Sequence, residues 1–295
     1  MARFTEANFK AYTRPPSITE EEQLRNAERM VREAISAHPK LKLLETETFG
    51  QGSYANNTNV KLNSDIDINV RLSSSFFYNI PSNKLASDFN LNSPTEYTFK
   101  EYKDTVQEAL ENKFGKSEVV RNDKCLTVKG NTYRVETDVV PTWKYREYYE
   151  NGKYVVGAKF ISDKGRSILN YPLQHIDNGV SKNTNTHRRF KRNVRIIKRI
   201  RYQMIDSGVH VSNGITSFLL ECLFWNVPNQ IFNANDLWSE QLKGALSHIY
   251  INTETEEKCK EWGEVSELLY LFRGHKWTVK EVNEFIASLW KYSEF

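Results

Sequence analysis

The fold is decided by residues 49–72, FGQGSYANNTNVKLNSDIDINVRL. A glycine-serine pair, Gly52 and Ser53, is followed about a dozen residues later by two aspartates, Asp65 and Asp67, that flank one isoleucine. Alternate residues of a strand share a face, so the two carboxylates project together and repel each other unless a cation lies between them. Hard divalent cations such as Mg²⁺ prefer oxygen ligands. A glycine-serine turn just before a helix offers N–H groups and a hydroxyl to a phosphate. The segment therefore predicts a phosphate-binding turn beside a metal site.

A site for two metal ions usually has a third carboxylate from a neighbouring strand. Residues 132–143, TYRVETDVVPTW, read as such a strand. Glu136 and Asp138 fall on the same face of it, because its residues alternate. The residues alone leave both carboxylates as alternatives for the third ligand.

Length and composition indicate a globular protein with a sizeable core. The chain has 295 residues, of which 39% are hydrophobic and 26% charged, and its net charge of +4 is too small to indicate nucleic-acid binding by itself. Three widely spaced cysteines indicate neither a disulfide framework nor a zinc site. With no apolar signal region at the start and no long apolar run, we expect a cytoplasmic protein that does not associate with a membrane.

Periodicity predicts a mixed first half. A capping box at Thr19 and Glu22 opens a helix, a strand ends at the Gly52 turn, and a second strand covers residues 65–72. Residues 73–94 are rich in Ser, Asn and Pro and predict a loop. A helix over 95–115, three short strands within 117–143 and a hairpin with Asn151-Gly152 at its turn complete this half.

From Thr186 onward the pattern is helical, including a predicted helix over residues 256–272 and a last helix capped by Thr278 and Glu281. The sequence therefore predicts an α+β protein in two parts. Residues 1–165 form a mixed-sheet core with the first helix, and residues 166–295 form a helical domain.

The helix predicted over residues 186–208 is unusually basic. Eight Lys or Arg and no acid lie between Arg188 and Arg201. Phe190, Val194 and Met204 mark its buried stripe. The cations form either a solvated face, a triphosphate-binding surface, or a surface for nucleic acid or an acidic partner.

These motifs resemble the nucleotidyltransferase superfamily, in which a Gly-Ser pair precedes Asp-x-Asp and a lone Asp follows on a later strand. The segments YPLQHIDNG, KNTNTHRRFKRNVRIIKRIR and SFLLECLFWNVP further resemble the bacterial cGAS/DncV-like nucleotidyltransferases of anti-phage defence, and within them the CdnE clade. The resemblance implies a polymerase-β-like mixed sheet with a C-terminal helical bundle. It also implies two lobes with the active site in the cleft and the N-terminal helix packed on both.

The resemblance also implies the site residues. It favours Asp138 over Glu136 as the third carboxylate, so that three aspartates are catalytic and bind the metal: Asp65, Asp67 and Asp138. The metal is expected to be Mg²⁺, with Mn²⁺ as the alternative. Eight residues are expected to bind nucleotide: Gln51, Gly52, Ser53, Asn178, Asn183, Lys191, Lys198 and Ser217. Asn178 and Asn183 are the alternatives for reading the base, whereas His175 and His187 are interpreted as structural.

The expected reaction joins two NTPs, drawn from ATP, UTP and GTP, into a cyclic dinucleotide with release of pyrophosphate. Cyclic UMP–AMP is the first choice of product, and a purine product such as cyclic di-GMP is the alternative. The product would act on a separate effector protein, and nucleic acid is not expected as an activator. Two alternatives use the same residues: a synthase of linear chains, such as an oligoadenylate synthase or a poly(A) polymerase, and a sensor without activity.

Overall fold

The computed structural model describes residues 3–15, 17–60, 66–91, 97–274 and 276–295. The chain forms two compact units. The sheet unit contains residues 17–54 and 62–172, and the helical unit contains residues 1–16, 55–61 and 173–295. The helical unit thus includes two short stretches that a single division at residue 165 assigns to the other half.

The sheet unit is built on a seven-stranded mixed sheet. Its strands are β1 (Thr46–Gln51), β2 (Ile66–Asn79), β3 (Val119–Arg121), β4 (Leu126–Val128), β5 (Thr137–Tyr148), β6 (Tyr154–Ile161) and β7 (Ser167–Asn170). The order β1-β2-β5-β4-β3 forms one path, and β6 pairs with both β5 and β7. Among the strands of the described residues, only β2 and β5 pair in parallel; the other pairs are antiparallel. The predicted hairpin is confirmed, since β5 and β6 flank a turn in which Gly152 has a φ of +79°.

Helices cover the sheet. The described helices of this unit are α2 (Ile18–Ala37), α3 (Pro39–Lys42) and α5 (Phe99–Phe114), and a four-residue turn α4 (Gly52–Ala55) follows β1. Leu24 and Val31 of α2 pack into the same core as Tyr102 of α5 and Ile68 of β2. The alternation of apolar residues in β2 therefore fixes which of its faces is covered.

Two predicted boundaries in the sheet unit were wrong. The capping box of α2 is formed by Ser17 and Glu20, whose side chain accepts the Ser17 backbone N–H at 2.7 Å, rather than by Thr19 and Glu22. Residues 73–79 form strand instead of loop, because β2 continues beyond an irregularity after Leu72 to pair with β5 as far as Asn79. The predicted loop also includes residues 92–94, which lie outside the described residues.

The helical unit contains α1 (Glu6–Tyr12), α6 (Pro172–Asn185), α7 (Arg189–Asp206), α8 (Ser217–Trp225), α9 (Asn229–Asn233), α10 (Trp238–Asn252), α11 (Glu256–Cys259) and α12 (Val279–Ser293). The buried stripe predicted for α7 is confirmed, since Phe190, Val194 and Met204 are fully buried. The helix predicted over 256–272 ends at Cys259, and the chain then folds back through a bridge between Gly263 and Tyr270.

The N-terminal stretch is part of the helical core. Phe9 of α1 is fully buried, and its ring lies 6.1 Å from that of Phe295. The Arg3 backbone N–H donates to the carbonyl of Ser293 at 3.2 Å. Among the described helices, none combines the length and apolar character needed to cross a membrane.

Candidate active site

Asp67 and Asp138 lie side by side in the sheet. Asp67 is the second residue of β2, Asp138 is the second residue of β5, and the parallel register pairs them directly. Register partners in neighbouring strands point to the same face. Both are partly exposed, whereas the flanking Ile66, Ile68 and Val139 are fully buried. The sheet thus presents two adjacent carboxylates on its open face.

The glycine-serine turn lies against this pair. Gln51, the last residue of β1, is the antiparallel register partner of Asp67. The next residue, Gly52, has a φ of +67°, and a Cβ built on it would be 2.0 Å from Oδ2 of Asp67. Glycine is therefore required twice, for the left-handed backbone and for the space that it leaves beside a carboxylate oxygen.

One oxygen of the Asp138 carboxylate accepts a hydrogen bond from a neighbouring strand. Its Oδ1 accepts the hydroxyl of Thr127, the register partner of Asp138 in β4, at 2.5 Å. Burial and the charge of Asp138 raise the pKa of the neighbouring Cys125 to about 11, so this thiol stays neutral. No Lys, Arg or His among the described residues lies within ion-pair distance of Asp138.

The donor set fits a divalent cation. Two carboxylates share a face of the sheet, and oxygen ligands of this kind suit Mg²⁺. Asp65, the third predicted ligand, lies outside the described residues. Without it, the described part of the chain holds no cluster of three or more His, Cys, Asp or Glu. Glu136, the alternative third carboxylate, is exposed and precedes β5.

Lys198 belongs to a buried network in the helical unit. Its ammonium lies 3.3 Å from Oε2 of Glu221 and donates to Oγ1 of Thr58 at 3.0 Å. The Thr58 hydroxyl donates to the same Glu221 oxygen at 2.7 Å. Burial raises the pKa of Glu221, but the charge of Lys198 and the hydrogen bond from His175 outweigh it and lower that pKa to about 2. Glu221 and Thr58 were missed in the sequence, which held no local signal for either.

The predicted base-reading residues have different partners. The Asn178 side chain donates through Nδ2 to the carbonyl of Val265 at 2.9 Å. The Asn183 side chain accepts the backbone N–H of Lys191 at 3.1 Å and so caps the first turn of α7. Ser217 begins α8, with its hydroxyl 3.5 Å from that of Tyr202.

The structure also shows the burial and the contacts of Lys191, His175 and His187. Lys191 is 7% exposed, and burial lowers the pKa of its ammonium. Because Lys191, Arg195 and Lys198 are all buried, their flank of α7 is not a solvated face. His175 is buried, with Nε2 3.2 Å from Glu221, whereas His187 is exposed, with Nδ1 3.2 Å from Oδ1 of Asn233.

Comparison with known proteins shows the family. Residues 177–294 match the model of the cGAS/DncV-like nucleotidyltransferase C-terminal helical domain. The cyclic dipyrimidine nucleotide synthase CdnE of Cecembia lonarensis is 60% identical over 296 residues, with both chains covered completely. The chain belongs to the CdnE group of the cGAS/DncV-like nucleotidyltransferases. The predicted class of enzyme, a nucleotidyltransferase, is therefore confirmed.

Solved structures of this group share the fold. The structure of the Elizabethkingia meningoseptica CdnE cyclic dinucleotide synthase with GTP and Apcpp has a TM-score of 0.82 and 32% identity, and the alignment covers 99% of this chain and 100% of that one. The Rhodothermus marinus CdnE c-UMP-AMP synthase with Apcpp and Upnpp has a TM-score of 0.83 and 26% identity, with 98% and 97% covered. The mixed sheet and the C-terminal helical domain of the predicted fold class are confirmed.

Proposed function

We propose that this enzyme joins two NTPs, at least one of which carries a pyrimidine, into a cyclic dinucleotide with release of pyrophosphate. The CdnE relatives named for dipyrimidine and UMP–AMP products support this reaction. Cyclic UMP–AMP remains the first choice of product from the sequence. The relative at 60% identity is named for a cyclic dipyrimidine product, so a product with two pyrimidines is the main alternative.

The observation that carries the proposal is the direct register pairing of Asp67 with Asp138 beside Gly52. Asp67 and Asp138, together with Asp65, would hold Mg²⁺, and Mn²⁺ would be the alternative ion. When bound, such ions lower the pKa of a hydroxyl and neutralise charge on a phosphate leaving group.

The chain's own groups then position the substrate. The backbone N–H groups and hydroxyl at Gly52 and Ser53, with the neighbouring Gln51, bind the triphosphate. Thr127 fixes Oδ1 of Asp138 by donating its hydroxyl, so the carboxylate keeps one orientation. A ribose hydroxyl oxygen forms the new bond to the α-phosphorus, and the bond from that phosphorus to the bridging oxygen of pyrophosphate breaks. A second such attack closes the ring.

Asn178 is the better of the two base-reading residues. Its Nδ2 faces the carbonyl of Val265, so the amide cannot be flipped without placing two oxygens together. Oδ1 is then the group that can accept a hydrogen bond, and the N3–H of uracil is a donor. Asn183 instead uses its side-chain oxygen to cap α7. We therefore assign uracil selection to Asn178.

Two further nucleotide-binding roles follow from the contacts. Ser217, at the first turn of α8, is proposed to bind the terminal phosphate. Lys198 is proposed to act on the triphosphate from its buried ion pair with Glu221. The product is proposed to signal to a separate effector protein in anti-phage defence, and nucleic acid is not proposed as an activator.

The reaction is tested with purified enzyme, Mg²⁺ and all four NTPs, with one α-³²P label at a time, followed by phosphatase. A phosphatase-resistant product that requires the UTP label supports the proposal. Its second label, ATP or a pyrimidine triphosphate, distinguishes UMP–AMP from a dipyrimidine product. A purine-only product, or a ladder of linear species, contradicts it.

The metal site is tested by a matched pair of variants on one strand. Asp138→Asn keeps the acceptor for Thr127 but removes a charged ligand, so we expect pyrophosphate release to fall by about a thousandfold or more. Glu136→Gln removes an exposed carboxylate two residues away, and we expect close to normal release. The assignment of Asp138 fails if the two effects are exchanged.

A further inference from the structure

A buried polar pair lies behind the two carboxylates, on the same face of the sheet. Asn69 follows two residues after Asp67 in β2, and Thr142 follows four residues after Asp138 in β5, so alternation along each strand puts all four side chains on one face. Asn69 and Thr142 are each 1% exposed. Asparagine is depleted in strands, and a buried amide is costly unless it is hydrogen-bonded. Stability alone therefore does not favour an amide at this position.

These two side chains form a hydrogen-bonded chain that ends at Gln51. Oγ1 of Thr142 donates to Oδ1 of Asn69 at 2.7 Å. Nδ2 of Asn69 donates to Oε1 of Gln51 at 3.1 Å. Gln51 is the last residue of β1 and the register partner of Asp67. The chain therefore runs from β5 through β2 to the strand that leads into the Gly52 turn.

The chain gives the Gln51 amide a direction. Because Oε1 accepts the hydrogen bond from Asn69, Nε2 is the end that can donate to another group. In the part of the sequence that the structure describes, no group other than Asn69 hydrogen-bonds to the Gln51 side chain, which is partly exposed. Oxygens of an ionised phosphate accept hydrogen bonds and donate none. An amide with Nε2 outward suits a phosphate, whereas the same amide turned over would present oxygen to oxygen.

We propose that Asn69 and Thr142 are positioning residues that hold Gln51 with its Nε2 directed at a phosphate oxygen of the bound NTP. Neither residue contacts the substrate in this role, because both act through Gln51. A side chain that is already oriented loses less conformational freedom when the ligand binds. The inference rests on the proposed function, in which Gln51 contacts the triphosphate, and it adds the residues that set the orientation of that contact.

Thr142 allows the hydroxyl to be tested apart from its packing. Thr142→Val removes the hydroxyl and keeps a branched side chain of similar shape. We expect the KM for the consumed NTPs, measured by pyrophosphate release, to rise by about fivefold while kcat stays within about twofold, as for the loss of a contact made equally in the ground and transition states. Thr142→Ser keeps the hydroxyl and should restore the KM of the parent.

Thr105→Val is the matched control for that variant. Thr105 lies in α5, is 6% exposed, and donates its hydroxyl to the carbonyl of Glu101 at 2.8 Å. The variant also removes a buried hydroxyl from the sheet unit, so it should lower the melting temperature. Because Thr105 has no part in the chain to Gln51, the KM should stay that of the parent.

Dependence on Gln51 separates positioning from a general structural effect. Asn69→Leu should raise the KM by about tenfold in the parent and have little further effect in the Gln51→Ala enzyme, because the side chain that it positions is absent. The double variant Asn69→Leu/Thr142→Val removes both buried polar groups together. Its melting temperature should therefore be close to that of the parent, while its KM stays raised.

Side-chain NMR tests the chain without turnover. In the ligand-free enzyme in EDTA, the Asn69 side-chain amide should be protected from hydrogen exchange, because it is buried and hydrogen-bonded. The Gln51 side-chain signal should shift in Asn69→Leu and in Thr142→Val, and it should keep its position in Thr142→Ser and Thr105→Val.

Two results would overturn the proposal. One is a Gln51 side-chain signal that does not respond to Asn69→Leu. The other is an increase in KM from Asn69→Leu that is as large in the Gln51→Ala enzyme as in the parent. A parent enzyme that releases no pyrophosphate would instead contradict the proposed function. The inference then depends on whether a non-reacting analogue of ATP or UTP binds the parent about tenfold more tightly than Asn69→Leu, and equal affinities would reject it.

Discussion

At Gly52, both the backbone conformation and the nearby Asp67 carboxylate require a residue without a side chain. Gly52→Ala would force an L-residue to a φ of +67° and place a methyl group 2.0 Å from Oδ2 of Asp67. We expect the turn and the carboxylate to move apart, with pyrophosphate release reduced by about a hundredfold because small misplacements of catalytic groups are costly. Steady-state kinetics and a thermal melt on the same sample measure both effects.

Gly208 provides the control for that variant. It has a φ of +76°, but a Cβ built on it meets no heavy atom within 4 Å. Gly208→Ala should therefore lose only the cost of the left-handed backbone, roughly 1–2 kcal/mol of stability, and keep its activity. Equal losses of activity in the two variants would show that the contact with Asp67 does not matter.

Asn178→Ala should change substrate choice. The variant removes the acceptor that we assign to uracil N3–H, so the KM for UTP should rise by about tenfold or more while the KM for ATP changes less. Asn185→Ala, an exposed position on the same helix, is the matched control. Equal rises in both KM values would indicate a structural role for Asn178.

The sequence predicts part of this site and leaves part of it open. Because side chains alternate along a strand, the sequence places Asp67 on the face of β2 that lies away from Ile66 and Ile68, and Gly52 is recognisable as a turn residue. The choice between Glu136 and Asp138 depends on the register of β5 against β2, a contact between distant parts of the chain. Neither strand encodes that register locally, so only the resemblance favoured Asp138.

At the scale of elements, one carboxylate joins three helices to the stretch 55–61. Glu221 of α8 contacts His175 of α6, Lys198 of α7 and Thr58. Glu221→Gln would leave Lys198 buried without a carboxylate, and we expect a loss of about 3–5 kcal/mol in the free energy of unfolding. Urea unfolding at pH 7 measures it.

Glu254→Gln is the control for this loss. Glu254 forms an exposed i,i+4 pair with Lys258, and such pairs contribute about 0.5 kcal/mol or less. If Glu221→Gln lowers the free energy of unfolding by as little as Glu254→Gln does, the buried network does not stabilise the fold.

The same network predicts a pH dependence. The folded pKa of Glu221, about 2, lies below its usual value of 4.5. Its contribution to stability is therefore complete above about pH 4.5 and is lost as the pH falls through about 2. The difference in unfolding free energy between the parent and Glu221→Gln should shrink between pH 5 and pH 2.5, and a constant difference would contradict this assignment.

Elements with strong local signals were predicted well. The Asn151-Gly152 hairpin and the Thr278 cap of α12 are both present. Residues 73–79 and 260–272 were not predicted correctly, because non-local packing overrides their composition. The first segment pairs with β5, and the second buries Val265 and Leu271 in the helical core without forming a helix.

At the scale of the whole molecule, the helical unit is assembled from three stretches of chain. Phe9, in the first stretch, is fully buried and packs 5.8 Å from Phe4 and 6.1 Å from Phe295. Phe9→Ala should lower the free energy of unfolding by about 3–5 kcal/mol. Ile251→Ala, at a half-exposed position of α10, should cost about 1 kcal/mol or less. Similar losses would mean that the N-terminal stretch is not part of the core.

The parallel pairing of β2 with β5 also sets when the metal site can form. Antiparallel neighbours such as β5 and β6 close through a short turn, but β2 must wait for a partner that is synthesised after α5, β3 and β4. Pairings of such long sequence separation form slowly, and a slip of one residue would turn Asp67 toward the covered face. A nascent chain with only β1 and β2 in place therefore lacks Asp138, and the proposed metal site cannot form before β5 has paired with β2.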